Sequence, residues 1–251
     1  MYAIFVTGTA GSGKSLLTSR LIEWYSSNKA YAVALNLDPG AVNLPYEPAV
    51  DVRDYIDIDT IMQSYGLGPN GALIMASDMI ATKLNEIEKE IEEVNPDYII
   101  IDTPGQLELF AYRASGPFFV SNLLCENRAA IFLFDGMLVS SPTNFVSIAL
   151  LATSISLRLR IPQINILSKV DMMTEKNKVL AWSSNTALLE QAIGEEKDSE
   201  SYLLSIGLLK SAMRGGFSVG LLAVSAATSE GMTNLGATLG RIFKMGEEVE
   251  G

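Results

Sequence analysis

Short, largely apolar runs recur along the chain, and each ends in a polar or glycine-rich turn. They are Ala3–Val6, Ala32–Leu37, Tyr98–Ile101, Ala130–Phe134, Gln163–Leu167 and Leu221–Val224. Runs this short, without alternation, predict buried strands. Between them the apolar positions move to helical spacing, at Leu16, Leu17, Leu21 and Trp24 and again at Leu84, Ile87, Ile91 and Val94. The second set has Glu86, Glu88, Lys89, Glu90, Glu92 and Glu93 on its other faces, which predicts a solvated helix ended by Pro96. Phe145–Leu157 is apolar enough for a buried helix, and a last helix falls around Leu235–Phe243. Strands alternating with helices predict an α/β chain, either one large domain or one domain carrying an insertion.

The irregular stretches complete the pattern. Pro45, Glu47 and Pro48 mark a loop into the acidic segment Asp51–Asp59, and Tyr65–Gly71 has the composition of a turn. Met172–Phe217 is longer than a crossover helix needs. Its helical patches, Val179–Ile193 and Tyr202–Met213, flank the polar break Gly194–Ser199, so residues 172–217 are expected to form a helical insertion in a single domain covering 1–251. Met172, Met173, Leu203, Leu204, Leu208 and Leu209 are assigned to core packing there; a partner groove is the alternative.

The turn after the first strand carries chemistry. Gly8-Thr9-Ala10-Gly11-Ser12-Gly13-Lys14-Ser15 matches G-x-x-x-x-G-K-[ST] between a strand and a helix, the context the motif requires. Its glycines let backbone N–H groups converge on a polyphosphate at a helix N-terminus. Lys14 is placed to reach the β- and γ-phosphates, and the Ser15 hydroxyl to ligate Mg²⁺; Gly11, Ser12, Gly13 and Leu16 complete the cradle.

The strand ends add to this site, because ligands of α/β sheets bind outside those edges. Asp38, in Asp38-Pro39-Gly40, is expected to orient water or hydrated Mg²⁺; capping the turn is its structural alternative. Asp102-Thr103-Pro104-Gly105-Gln106 follows Ile99–Ile101. There Asp102 supports Mg²⁺, Gly105 approaches the γ-phosphate and Gln106 orients the attacking water. Glu108 either shares that water or starts a helix. Asp135 is expected only to close a strand-end turn.

Ser168-Lys169-Val170-Asp171 is a variant of N-K-x-D. The Asp171 carboxylate can accept from guanine N1–H and its exocyclic amine, a pair adenine lacks, while the Lys169 stem covers the base. Ser168 stands where Asn is usual, and one side-chain tie to the loop is expected to be lost. Ser225-Ala226 after the last strand matches the element whose backbone N–H meets guanine O6.

Composition narrows the partners. Eighteen Lys and Arg against 29 Asp and Glu give a net charge of −11, which argues against gripping a nucleic-acid backbone. No His is present, which removes Ser/His and Cys/His catalysis and imidazole metal sites. The single Cys125 cannot form an internal disulfide and is read as a buried, inert thiol. The chain starts directly in a strand, and its longest apolar stretch is too short to span a bilayer; a cytoplasmic protein without membrane association is the expectation.

The ordered set of P-loop, Asp38-Pro39-Gly40, Gly68-Pro69-Asn70, Asp102-Thr103-Pro104-Gly105-Gln106-Leu107-Glu108, Ser168-Lys169-Val170-Asp171 and Ser225-Ala226 resembles the GPN-loop GTPases across essentially the whole chain. The Gly-Pro-Asn triplet and the D-P-G element carry that resemblance. It implies a SIMIBI-class P-loop fold of three layers, a mostly parallel central sheet flanked by helices. It further implies Mg²⁺-dependent hydrolysis of GTP to GDP and phosphate by a homodimer used as a switch or assembly factor. The loop of Gly68, Pro69 and Asn70 would reach across the dimer, placing the Asn70 amide at the opposite γ-phosphate. Asp38, Gln106 and Glu108 match the family's water-positioning and Mg²⁺-linked positions. Eukaryotic members are linked to RNA polymerase assembly, so the resemblance allows a client protein of that kind, although the chain looks more like the simple single-domain, archaeal-type members. An ATPase of the same class, a small-molecule kinase and a nucleotide-gated scaffold with negligible turnover are the competing readings.

Overall fold

The structure is a computed structural model that describes residues 1–195, 204, 206–208, 210, 211 and 219–249. Its strands are β1 (Tyr2–Gly8), β2 (Ala32–Asn36), β3 (Val50–Asp51), β4 (Tyr98–Asp102), β5 (Asn127–Asp135), β6 (Gln163–Ser168) and β7 (Leu221–Ala223). They form one seven-stranded sheet in the order β3-β2-β4-β1-β5-β6-β7, with every pairing parallel. The helices are α1 (Lys14–Ser27), α2 (Ile58–Tyr65), α3 (Pro69–Met79), α4 (Leu84–Val94), α5 (Ser115–Asn122), α6 (Pro142–Leu159), α7 (Lys176–Ser184), α8 (Thr186–Glu195) and α9 (Met232–Val249).

The apolar strand runs are explained by burial on both faces. Alternate residues of β1 serve the two layers. Ile4 and Val6 pack with Leu17 and Leu21 of α1 and Leu235 and Leu239 of α9. Ala3 and Phe5 belong to the larger cluster on the other face, with Phe110, Phe119, Phe145 and Ile87. β1 lies between β4 and β5, so successive strands leave it in opposite directions and a crevice opens at its C-terminal end.

Several expectations are corrected here. The predicted turn Tyr65–Gly71 is confined to the junction of two helices. Gly66, at φ 63°, caps α2, and Gly68 precedes α3 with Pro69 in its first turn, so Asn70 and Gly71 are helical. Strand β3 lies where the loop of Pro45, Glu47 and Pro48 runs into the acidic segment Asp51–Asp59, a place where the sequence predicts no strand; two residues are too few to show a period. The helical patch Val179–Ile193 is two helices broken at Asn185, whose side chain accepts from the Ala187 N–H at 3.0 Å. Of the Met and Leu residues assigned to core packing, Met173 does pack on the core, whereas Met172, Leu204 and Leu208 are exposed. Leu203, Leu209 and most of Tyr202–Met213 lie outside the described residues. Cys125 is only half-buried, and burial raises its pKa. Among the described residues no helix is long and apolar enough to cross a membrane.

Candidate functional site

The crevice at the end of β1 is built from the P-loop. Gly13 precedes α1 with φ 97°, a conformation that opens the helix without a side-chain cap. The first-turn N–H groups of α1 therefore remain free to meet an anion. Gly8 is needed for a second reason: a Cβ there would lie 3.0 Å from Leu133 Cβ. Lys14 is buried beneath the loop and donates to the carbonyls of Gly8 and Thr9, each at 3.1 Å. Burial lowers its pKa, against the pull of Asp102 and Asp38.

Asp102, the last residue of β4, faces Lys14 and Ser15. Its Oδ2 accepts from the Tyr46 hydroxyl at 2.9 Å, while Oδ1 is buried with no hydrogen-bond partner. Burial raises the carboxyl pKa; the nearby Ser15 and Tyr46 hydroxyls and the Lys14 ammonium pull it down. A buried carboxylate oxygen without a partner, next to the P-loop serine, is a donor set that fits a hard divalent cation.

Asp38 links the two phosphate-side loops. Its Oδ1 accepts from the Gly40 N–H at 2.9 Å and its Oδ2 from the Gly105 N–H at 3.1 Å. The turn-capping role is thus real, and the same carboxylate also holds the Asp102–Gln106 loop. Behind it stands a network that the sequence did not reveal. Asn36 accepts from the Asp38 N–H at 3.0 Å and donates to Asp51 Oδ1 at 2.9 Å. Arg53 grips both Asp51 oxygens, Nε at 3.0 Å to each and Nη2 at 2.6 Å to Oδ2, and its Nη1 donates to the Ala41 carbonyl at 2.8 Å. The signal available in the sequence was the proximity of Asp51 and Arg53; their link to Asp38 exists only because β3 pairs with β2.

Gln106 and Glu108 are exposed and line an open trough of about 550 Å³ with Thr9, Ala10, Gly105 and Tyr112. Glu108 also starts a single π-helical turn, Glu108–Tyr112, so it occupies a helix-starting position on the wall of the trough.

A second cleft, of about 160 Å³, lies on the other side of the P-loop. It is lined by Ser12, Gly13, Leu16, Ser168, Lys169, Asp171 and Ala226 among others. The expected loss of a tie at Ser168 does not occur. Its hydroxyl lies 3.0 Å from the Ser12 carbonyl and 3.2 Å from that of Phe134, so the shorter side chain still bonds the P-loop. Lys169, at φ 57°, donates to the Gly11 carbonyl at 2.7 Å and to Asp135 Oδ2 at 2.8 Å. Asp135 also accepts from the Met137 N–H at 3.0 Å, the strand-end turn expected of it. The Ser225 N–H is engaged by the Glu230 carbonyl at 3.0 Å, and Ala226 rather than Ser225 lines the cleft.

Gly68, Pro69 and Asn70 sit apart from these clefts, exposed at the N-terminal end of α3. That helix touches the site through Leu73, whose Cδ2 would lie 2.9 Å from a Cβ at Gly40.

A P-loop opening a helix beside a strand-end aspartate, in a parallel sheet with its crevice between β4 and β5, defines a P-loop NTPase. Residues 6–245 match the family described as "Conserved hypothetical ATP binding protein". The GPN-loop GTPase PAB0955 of Pyrococcus abyssi is 38% identical over 181 residues, 71% of each chain. GPN-loop GTPase 3 of Kluyveromyces lactis is 34% identical over 209 residues, 80% of this chain and 77% of the relative. The crystal structure of PAB0955 in its apo form matches 97% of both chains with a TM-score of 0.84 at 30% identity. The chain belongs to the GPN-loop GTPase family.

Proposed function

We propose that this chain is a Mg²⁺-dependent GTP hydrolase that works as a homodimeric switch or assembly factor. The observation that supports it best is the pair of clefts flanking one P-loop: a phosphate side with Lys14, Asp38 and Asp102, and a base side with Asp171.

On the base side the Asp171 carboxylate accepts from guanine N1–H and the exocyclic amine. Adenine presents an acceptor at N1, so it leaves the carboxylate unmatched. The Ala226 N–H is the candidate donor to O6, since that of Ser225 is already engaged. The Lys169 stem covers one face of the base, and its ammonium is held by Gly11 and Asp135.

On the phosphate side Lys14 exchanges its two backbone carbonyls for β- and γ-phosphate oxygens, a stronger charge-assisted pairing. The Ser15 hydroxyl and Asp102 would hold Mg²⁺, which neutralises developing charge on the phosphate oxygens. Hydrolysis is an in-line attack of water on the γ-phosphate. Asp38, Gln106 and Glu108 are the groups that orient this water, and Asp38 also fixes the Gly105 backbone. Asn70 of a second subunit supplies a neutral dipole to the transition state, since in its own chain it stands at the exposed end of α3. The RNA polymerase-type client is carried by family resemblance alone.

The test is phosphate release from GTP and, in parallel, from ATP, with Mg²⁺, over a range of protein concentrations. Release from GTP alone, rising per subunit as dimers form and lost in Lys14→Ala, is the expected result. Release from ATP would discard the guanine reading. GTP binding without release would favour the scaffold.

A further inference from the structure

The loop between Asp38 and Val50 is fastened on both sides of Ser15. Ser19, one turn along α1 from Ser15, donates through Oγ to the Pro45 carbonyl at 3.0 Å. The next residue, Tyr46, donates its phenol to Asp102 Oδ2 at 2.9 Å, across 56 positions of chain. The Pro45-Tyr46 pair therefore straps the face of α1 that carries Ser15 to the end of β4. Among the described residues the phenol commits Oδ2 of the carboxylate, while Oδ1 has no hydrogen-bond partner. Lys14 lies close enough to pull on Asp102 electrostatically, yet its ammonium is bonded to the Gly8 and Thr9 carbonyls instead.

We propose that Tyr46 is a positioning residue for the divalent-cation site: its hydroxyl pins Oδ2 of Asp102, so that the unpartnered Oδ1 is kept for the cation held with Ser15. The inference rests on the reading of Asp102 and Ser15 as the Mg²⁺-supporting pair. Buried carboxylates near a cation are oriented by partners outside the coordination sphere, and losing such a partner typically weakens metal affinity by about tenfold or more. Without the phenol the carboxylate is free to turn toward Lys14, and an Asp102–Lys14 ion pair would compete with both the cation and the phosphates.

The test uses Tyr46→Phe, which keeps the ring and its packing and removes one oxygen. Binding of a fluorescent GDP analogue is titrated with Mg²⁺ and, separately, measured in EDTA. The expected result is a Mg²⁺ midpoint raised about tenfold, with affinity in EDTA and thermal midpoint unchanged. Ser19→Ala, which loosens the same loop without touching Asp102, is expected to leave the Mg²⁺ midpoint in place. An unchanged midpoint in Tyr46→Phe overturns the proposal. So does an equal loss of affinity with and without Mg²⁺, or a Ser19→Ala shift as large as that of Tyr46→Phe, because each assigns the phenol a merely structural role. If the wild-type protein binds no guanine nucleotide under either condition, the reading of the site itself fails first, and the Tyr46 role with it.

Discussion

Replacing Arg53 with Ala tests whether the network behind Asp38 holds the phosphate-side loops. The substitution removes three hydrogen bonds to the Asp51 carboxylate, at 3.0, 3.0 and 2.6 Å, and one of 2.8 Å to the Ala41 carbonyl. Breaking a fully buried pair by deleting one partner costs about 3–5 kcal/mol, and an exposed pair is worth roughly 0.2–1 kcal/mol. Here the Asp51 side chain is 10% exposed and that of Arg53 34%, an intermediate case in which water replaces part of the lost solvation. A loss of about 2 kcal/mol follows, which for a chain of this length corresponds to a fall in Tm of roughly 4–8 °C. Arg53→Lys keeps the charge but not the planar fork, and should recover less than half of the difference. The pH dependence gives an independent check. Burial raises the Asp51 pKa, but the side-chain and backbone hydrogen bonds from Arg53, the one from Asn36 and the Arg53 charge outweigh it, so the group sits below its ordinary 3.8. A depressed carboxylate stabilises the fold in full above the unfolded value and loses that contribution as pH falls through the folded one. The Tm gap between wild type and Arg53→Ala should thus be full at neutral pH and narrow in acid, as the Asp51 carboxylate is protonated first in the variant and then, below its ordinary range, in the wild type. Thermal unfolding followed by circular dichroism measures both. A Tm change under 2 °C, or a gap that widens in acid, would refute the assignment of Asp51–Arg53 as a clamp.

Three further substitutions probe separate parts of the site. Ser168→Ala removes the donor shared by the Ser12 and Phe134 carbonyls; guanine-nucleotide affinity should fall by roughly fivefold, about 1 kcal/mol, and titration calorimetry showing no change would deny the hydroxyl its role as P-loop tie. Asn70→Ala should leave GTP binding intact while slowing turnover per subunit by about 10²-fold, the scale seen when one transition-state donor is removed; an unchanged rate rejects a contribution in trans. Gly116→Ala would place a Cβ 1.9 Å from the Phe110 carbonyl oxygen, forcing the turn that begins at Glu108 to shift and destabilising the chain by at least about 2 kcal/mol, read as a lower denaturant midpoint.

The local chemistry of the site was legible in the residues because each piece is a strand end followed by a turn. Burial on both faces makes the centres of β1, β4 and β5 apolar, so their ends at Gly8, Asp102 and Asp135 stand out. The helix Leu84–Val94 was equally plain, since one apolar stripe among glutamates has a single periodic reading. Helices α2 and α3 were not, because Gly66, Gly68 and Pro69 terminate and restart helices with the same residues that build turns. What only the tertiary structure decided was which distant polar groups meet. The residues flanking Ser168 indicated its strand end, but its bond to Ser12, 156 positions away, required β6 to lie beside β5 and the P-loop above them. Tyr46 looked like one more residue of a proline-rich loop until the sheet brought Asp102 to it. Periodicity records how each segment meets the core, whereas hydrogen bonds across the crevice depend on strand order, to which periodicity is blind.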